Sequence, residues 1–326
     1  MNSAYCLTLA AVVAGAGTAA NAQSPAAGYP DKPIRLVVPY PPGGGTDLIA
    51  RSLALKLTET FGQQVIVENR AGANGNIGME FVAKSAPDGH TLVLGLTGQF
   101  AVNPGLYRKL PYDVLRDFAP VALVASNPYI LVVHPSLPAK SVKELVALAR
   151  ARPGQLAYSS SGNGGGAHLA TEMLKTLARI DMVHVPYKGA APAIVDLIAG
   201  HVQLSFTVWT TAGPHVKTGR LRALGVTTKQ RSSVTPDLPS IAETVPGYDT
   251  SVWYGIAAPA GTPGEIITKL NAEILRVLAA PEFRQRIGGV EPVDPGHRSP
   301  GQFGDFIKSE IVKWAKVIKD SHVKID

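Results

Sequence analysis

The sequence is poor in the residues from which reaction centres are usually built. Cys6 is the single cysteine in 326 residues. It stands in a segment expected to be removed, so the remainder has no disulfide, no thiolate nucleophile and no thiolate metal site. The eight histidines, among them His90, His134, His168 and His184, include no H-x-x-x-H or H-x-H pair, so a metal is not expected. No serine stands in a G-x-S-x-G elbow. The glycines of "GGGTD" have no lysine after them, which excludes the phosphate-binding loop G-x-x-x-x-G-K-[ST]. The first thirty residues carry no charged side chain, and no later stretch holds eighteen uninterrupted apolar residues.

What is present is globular. Hydrophobic residues make up 45% and charged residues 17%, and 326 residues suffice for about two domains of roughly 150 each. The net charge of +7 is scattered. Its densest run is "LYRKL" at 106–110, and no basic stripe with interleaved aromatics follows, so nucleic acid is not an expected partner. The N-terminal "CLTLAAVVAGAGTAANAQ" is apolar and small and ends in the A-x-A site Ala20-Asn21-Ala22 before Gln23. It reads as a secretory signal over 1–22 whose positive charge comes from the α-amino group alone. Ser3-Ala4-Tyr5 before Cys6 is not a lipoprotein box. The expected location is the periplasm.

Strand-like and helix-like stretches alternate along the chain. "IRLVV", "QVIVE" and "TLVLGL" read as strands. Ile49, Leu53 and Leu57, with Ala50 and Ala54 alongside, give a helical stripe. "NIGMEFVAKSA" suits a short helix. "APVALVAS" and "YILVVHP" are two strands in quick succession, and "SVKELVALARARPG" is a helix with a serine cap and a Pro-Gly stop. The pattern then restarts with "QLAYSS", "GAHLATEMLKTLA", "MVHVPY", "APAIVDLIAG", "VQLSFT" and "RLRALGVTT". "SVWYGIAAP" is a last strand. A capping box at Thr262-Pro263-Gly264-Glu265 opens one further helix. Ser299-Pro300 opens another, with the stripe Phe303, Ile307, Ile311, Trp314 and Ile318. The expected fold is α/β, with two mainly parallel sheets in two lobes joined by hinge strands. The lobes are expected at 23–124 plus 252–326, and at 125–251.

Two glycine-rich loops hold equivalent places. "PYPPGGGTD" follows the strand at 34–38, and "SSSGNGGGAH" follows the strand at 155–158. Each opens a helix at a strand's carboxyl end, where open α/β sheets bind ligands. Free amides at a helix N-terminus favour an anion, and glycine lets it reach the main chain. Thr46, Ser159, Ser160 and Ser161 add hydroxyls. Residues 162–167 also satisfy G-x-G-x-x-G/A, but Asp181 precedes the next strand instead of ending it, so a dinucleotide enzyme is only an alternative. Asp47 serves either the helix dipole or the ligand. His168 is placed either to donate to an anion or to support the loop, and Lys188 reads as a solvated lysine.

The motifs "YPDKPIRLVVPYPPGGGTD", "VENRAGANGNIG", "APDGHTLVLG", "LPYDVLRDFAPVALVA", "SSSGNGGGAHLATEML", "VPYKGAAPAIVDLIAGHV" and "APAGTPGEIITKLNAEI" together resemble the Bug-type (TctC-like) extracytoplasmic solute receptors of tripartite tricarboxylate transporters. The resemblance spans essentially the whole mature chain. It implies a two-lobed periplasmic-binding-protein fold that closes on a small carboxylate, without catalysis and without a cofactor. It implies ligand contacts from Tyr40, Gly43, Gly44, Gly45, Thr46 and Asp47 in the first loop. In the second loop it implies Ser159, Ser160, Ser161, Gly162, Asn163, Gly164 and Gly165, beside which His168 stands one turn into the helix. A distal end would use the loops carrying Thr97, Gly98 and Gln99, and Thr207, Val208 and Trp209. Gln203 stands where many relatives carry an acid. The implied partner is a membrane transporter, with a sensor kinase as the alternative, and a monomer is expected. Amino dicarboxylate, tricarboxylate and aromatic acid all stay open as ligands.

Export is expected to remove residues 1–22. Intact-mass measurement of the periplasmic protein should give a chain starting at Gln23; a mass that retains 1–22 contradicts this.

Overall fold

Strand β1 (Ile34–Val38) is apolar except for the exposed Arg35, and its other four residues are buried, the pattern of a strand covered on both faces. In the computed structural model, which describes residues 26–288, 297–321 and 323, it is an inner strand of a five-stranded sheet. The expected signal over 1–22, Cys6 included, lies outside the described residues.

From β1 the chain runs through α1 (Gly45–Phe61), β2 (Val65–Asn69), α2 (Asn76–Ala83) and β3 (Thr91–Leu96). Strand β4 (Phe118–Asn127) ends the first series, and β5 (Tyr129–Val133) begins the second one residue later. There follow α3 (Val142–Ala151), β6 (Ala157–Ser160), α4 (Gly166–Ala178), β7 (Val183–Pro186), α5 (Ala190–Ile198), β8 (Leu204–Val208), α6 (Trp209–Lys217) and β9 (Arg222–Val226). Strand β10 (Val252–Pro259) returns to the first sheet, and α7 (Gly264–Ala279), α8 (Pro281–Ile287) and α9 (Pro300–Ser321) complete the described chain.

The sheet orders are β2-β1-β3-β10-β4 and β7-β6-β8-β5-β9, the same plan twice in a two-lobed α/β fold. The sheets are mixed and not mainly parallel. In each, two pairings are parallel and two antiparallel. Strands reached through a crossover helix run parallel. The strands that arrive from the other lobe, β5 and β10, enter from the opposite end and so run antiparallel.

The helical stripe of α1 is buried at Ile49, Leu53 and Leu57, with Ala50 and Ala54 beside them. In α9, Phe303, Ile307, Trp314 and Ile318 are buried and Ile311 is half-buried. Ser141 Oγ accepts from Glu144 N at 3.1 Å and caps α3. Ser299 and Gln302 form a reciprocal box at α9, with Gln302 N on Ser299 Oγ at 3.2 Å and Ser299 N on Gln302 Oε1 at 2.9 Å. The capping box expected at Thr262 is not formed. Its hydroxyl turns back to donate to Pro259 O at 2.8 Å, and no side chain caps α7. Helix α6 has no counterpart in the sequence reading, because Pro214 and two threonines mask its period.

One apolar core runs through both lobes. Phe100, Trp253, Phe303 and Trp314 join Leu131, Ala170, Met173 and Tyr248 in it. Helix α9 packs on the first sheet at β4 and also on α4 of the second lobe. The indole nitrogens of Trp253 and Trp314 both donate to Glu310 Oε2, at 2.9 and 3.1 Å, and Lys313 pairs with the same carboxylate.

Gly255 of β10 lies against the Phe303 ring, where a Cβ would collide with the ring edge. Gly255→Ala should destabilise by about 1–3 kcal/mol through overpacking. Gly264→Ala, with open space around it, should stay within about 0.5 kcal/mol. Urea unfolding of the two variants checks the contrast.

Candidate functional site

A cleft of about 400 Å³ opens between the lobes. The first lobe contributes Tyr40, Thr46, Asn74, Leu96, Thr97, Gly98 and Val102 to its wall, and the second contributes Tyr129, 161–167 and 205–208. Residues 250–252 and Trp314 of α9 form the rest of one side, while Ala190, Ala193 and Ile194 come from α5. No Asp, Glu, Lys, Arg or His lines the cleft among the described residues. Nor do the described residues hold three or more His, Cys, Asp or Glu side chains close enough for a metal ion.

The helices that open on this cleft lack side-chain caps. The N-caps of α1, α4, α5 and α6 are Gly44, Gly165, Gly189 and Val208, and none receives a side-chain hydrogen bond. Their first amides therefore have no intrahelical acceptor and no side-chain one. Together with the helix dipoles they make the cleft attractive to an anion although its wall carries no cation.

The structure sorts the expected ligand residues into two groups. Tyr40, Thr46, Thr97, Ser161, Gly162, Asn163, Gly164, Gly165 and Thr207 line the cleft. Gly43, Gly44 and Gly45 form an exposed lip outside the lining. Asp47 is turned inward. Its Oδ2 accepts from Gly43 N at 3.0 Å and Arg51 Nε at 2.9 Å, and its Oδ1 from Asn69 Nδ2 at 3.0 Å. The Arg51 hydrogen bond leads the effects that hold this carboxyl at about 2, so Asp47 is an anionic brace that fixes the loop.

Gln99 is fully buried and acts through Tyr40. Its Nε2 donates to Tyr40 Oη at 2.7 Å and Asn74 O at 2.8 Å, and its Oε1 accepts from Leu96 N at 3.0 Å. Because Tyr40 Oη accepts that bond, its own hydrogen is left for a group in the cleft. Thr97 lines the cleft, but its hydroxyl is occupied: it accepts from Trp253 N at 2.9 Å and donates to Ser251 O at 3.4 Å. The segment expected as a distal loop is a π-helical turn at Gly98–Val102, and Thr207 and Val208 end β8 with Trp209 already helical.

The second loop rests on a stack of rings. His168 lies on His184 with centroids 3.8 Å apart, and His184 lies on Tyr158 at 4.8 Å. His168 Nδ1 accepts from Gly164 N at 3.0 Å, so it braces the loop instead of donating to an anion from that nitrogen. Ser160 Oγ meets His184 Nε2 at 2.6 Å and accepts from Gly162 N at 3.2 Å. Ser159 is fully buried, donating to Ala193 O at 3.4 Å. Burial first, and Lys175 second, hold His168 down to about 4; burial and the neighbouring His168 do the same for His184. Lys188 is exposed outside the cleft wall, and Gln203 immediately precedes β8, with its Oε1 accepting from Ala157 N at 2.7 Å.

Several lining residues escaped the sequence reading. Asn74 sits in left-handed backbone at φ 53°, and Tyr129 opens β5 with its hydroxyl against Gly166, where a Cβ would collide with it. Thr250 and Trp314 come from the return strand's approach and from the C-terminal helix. The signal for Asn74 was present in "AGANG", a glycine–asparagine cluster that permits positive φ. Thr250 gave none.

The family model described as "Tripartite tricarboxylate transporter family receptor" matches residues 49–323. Protein BugT of Bordetella pertussis is 40% identical over 301 residues, covering 91% of this chain and 91% of that protein. Among solved structures, R. palustris Rpa4515 with adipate is 39% identical with a TM-score of 0.78, covering 91% of this chain and 99% of that one. MatC from Rhodopseudomonas palustris with bound malate is 32% identical with a TM-score of 0.75, covering 89% and 100%.

The histidine stack generates a pH dependence. Both imidazoles titrate near 4 in the folded chain and near 6.5 when unfolded. Above pH 6.5 both states are neutral and stability is unaffected. As pH falls from 6.5 toward 4, the unfolded chain takes up protons that the folded chain refuses, and stability is lost. The loss is at most about 1.4 kcal/mol per pH unit for each imidazole. His168→Gln should remove about half of this slope in denaturation midpoints measured across that window; an unchanged slope contradicts the assignment.

Proposed function

The chain belongs to the tripartite tricarboxylate transporter receptor family, periplasmic solute-binding proteins and not enzymes, and we propose that it captures a small carboxylate between its two glycine loops. The observation that carries the reading is the meeting of uncapped helix N-termini from opposite lobes, α1 and α4, in one cleft whose wall has no charged side chain. A carboxylate bridging them takes amide hydrogens from both sides, with the hydroxyls of Thr46, Ser161 and Tyr40 as further donors. Each helix end contributes about 0.3–1 kcal/mol, rising to about 2 when partly buried. Hydrogen bonds to a charged group add roughly 1.5–3 each before ordering and closure are counted. Micromolar affinity needs about 8 kcal/mol, so a handful of such contacts suffices.

Two lobes follow from the same reading, 23–124 with 252–326 and 125–251, hinged where β4 passes to β5 and where β10 returns. A ligand held by both lobes favours the closed state, and a tripartite transporter in the membrane reads closure as occupancy. The relatives solved with adipate and malate put aliphatic dicarboxylates first among the ligands to try.

Gly45 is the first residue of α1, follows a residue in extended backbone and has open space around it. Proline is compatible with that position and deletes one amide donor without breaking the helix. In calorimetry against adipate, malate, citrate and benzoate, the wild-type protein should bind at least one of them. Gly45→Pro should weaken that binding about tenfold with the unliganded melting temperature unchanged, and Lys188→Ala should stay within about threefold. Equal binding by Gly45→Pro and wild type would remove α1 from the grip.

A further inference from the structure

Tyr129 is the first residue of β5 and stands half-buried in the cleft wall. Its main chain is fixed. The amide donates to Thr227 Oγ1 at 2.8 Å, the carbonyl accepts from Thr227 N at 3.0 Å, and Val208 of β8 lies opposite it in the sheet. Its ring packs on the apolar core. Its hydroxyl ends beside Gly166, the first residue of α4, where a Cβ would come within 2.1 Å of it. Gly166 belongs to the cleft wall too. Backbone, ring and tip are all held, and only glycine at 166 leaves room for the tip.

The hydroxyl itself is unspent. Other packed tyrosines give their hydrogen to protein acceptors: Tyr29 to Gly89 O, Tyr112 to Gln99 O, Tyr158 to Glu172, Tyr187 to Asp196 and Tyr248 to Ala170 O. The Tyr129 hydroxyl makes no hydrogen bond among the described residues. It is not one of their buried unpaired atoms either, so it is open to solvent at the wall of the cleft. Burial first, then the Tyr254 and Tyr40 hydroxyls, push its pKa far above the ordinary tyrosine range, so it keeps its proton and offers a donor. Tyr40, with Gln99 Nε2 donating to its oxygen, keeps its hydrogen in the same way on the first lobe.

We infer that Tyr129 is a ligand contact, whose hydroxyl donates to the same carboxylate that the opening amides of α4 receive. This rests on the carboxylate reading above. A rigid donor beside an uncapped helix start adds a charge-assisted bond where the amides and the helix dipole already favour an anion. Phenylalanine would pack the same ring at this position, so the hydroxyl is what the ligand uses. The hydroxyl and the start of α4 sit on the same lobe, so this contact is in place before the lobes close.

The test is Tyr129→Phe, which keeps the ring and removes the hydroxyl, titrated by calorimetry with adipate, malate, citrate and benzoate. Every one of these acids that the wild type binds should bind about ten- to hundredfold more weakly, benzoate included, because all of them carry the gripped carboxylate. The unliganded melting temperature should stay at the wild-type value, because the fold loses no hydrogen bond. Titration well below that temperature reads the folded protein alone, so a loss of affinity is not a loss of fold. Unchanged affinity in Tyr129→Phe, beside weakened binding in Gly45→Pro, overturns the inference and leaves the carboxylate grip intact. So does a loss for adipate, malate or citrate with benzoate unaffected, which moves the hydroxyl to the ligand's other end. A lowered melting temperature with affinity retained also overturns it, marking a merely structural hydroxyl. A wild-type protein that binds none of the four acids removes the carboxylate reading itself and this inference with it.

Discussion

An α-helix leaves its first amides without acceptors, and how each helix answers that demand organises this protein. Away from the cleft the answer varies: Ser141 caps α3, Ser299 and Gln302 cap α9, and Asp113 caps the turn at Val114–Asp117, while α2, α7 and α8 have no side-chain cap. At the cleft, α1, α4, α5 and α6 are left uncapped, behind glycine in three cases and a strand end in the fourth. On the proposed reading, the ligand takes the capping position at these ends. Around it, Asp47, Gln99, His168 and His184 are all committed to other protein groups, so that the donors facing the cleft keep their geometry while the cleft stands open.

Holding the lobes in register takes a second set of interactions. The apolar core is continuous across the hinge, and α9 packs on both lobes with Trp314 reaching the cleft wall. Glu310 fixes that indole and the one on β10 at once. A buried carboxylate shared by two indoles and Lys313 is favourable only while all of its partners are present. The hinge region is thus tied by polar bonds of fixed geometry as well as by packing.

Much of the fold was legible because its signals are local. Apolar runs of five or six residues mark the buried strands, the Ile49–Leu53–Leu57 spacing marks α1, and glycine after a strand end marks both loops. The antiparallel sense of β5 and β10 was not legible, since it depends on where the chain enters each sheet. Nor was the commitment of Thr97, because its hydroxyl accepts from Trp253 N, 156 residues away in the chain. For His168 the sequence left both an anion donor and a loop support open, and the bond that its Nδ1 accepts from Gly164 N is the supporting one. Sequence spacing shows which polar groups gather at the site, and only tertiary pairing shows which of them are already occupied.

On the proposed carboxylate reading, a cleft that grips mainly through backbone amides has an evolutionary corollary. Amide hydrogens are supplied by every residue except proline, so substitutions around the glycine loops can accumulate without erasing the anion grip. Selectivity then rests on the few wall positions whose side chains still have bonding capacity. Two homologues can therefore share the whole grip and differ in cargo through one or two residues that an overall identity score barely registers. For a receptor built this way, ligand identity is better transferred between relatives by comparing the deep wall of the cleft than by comparing the chains.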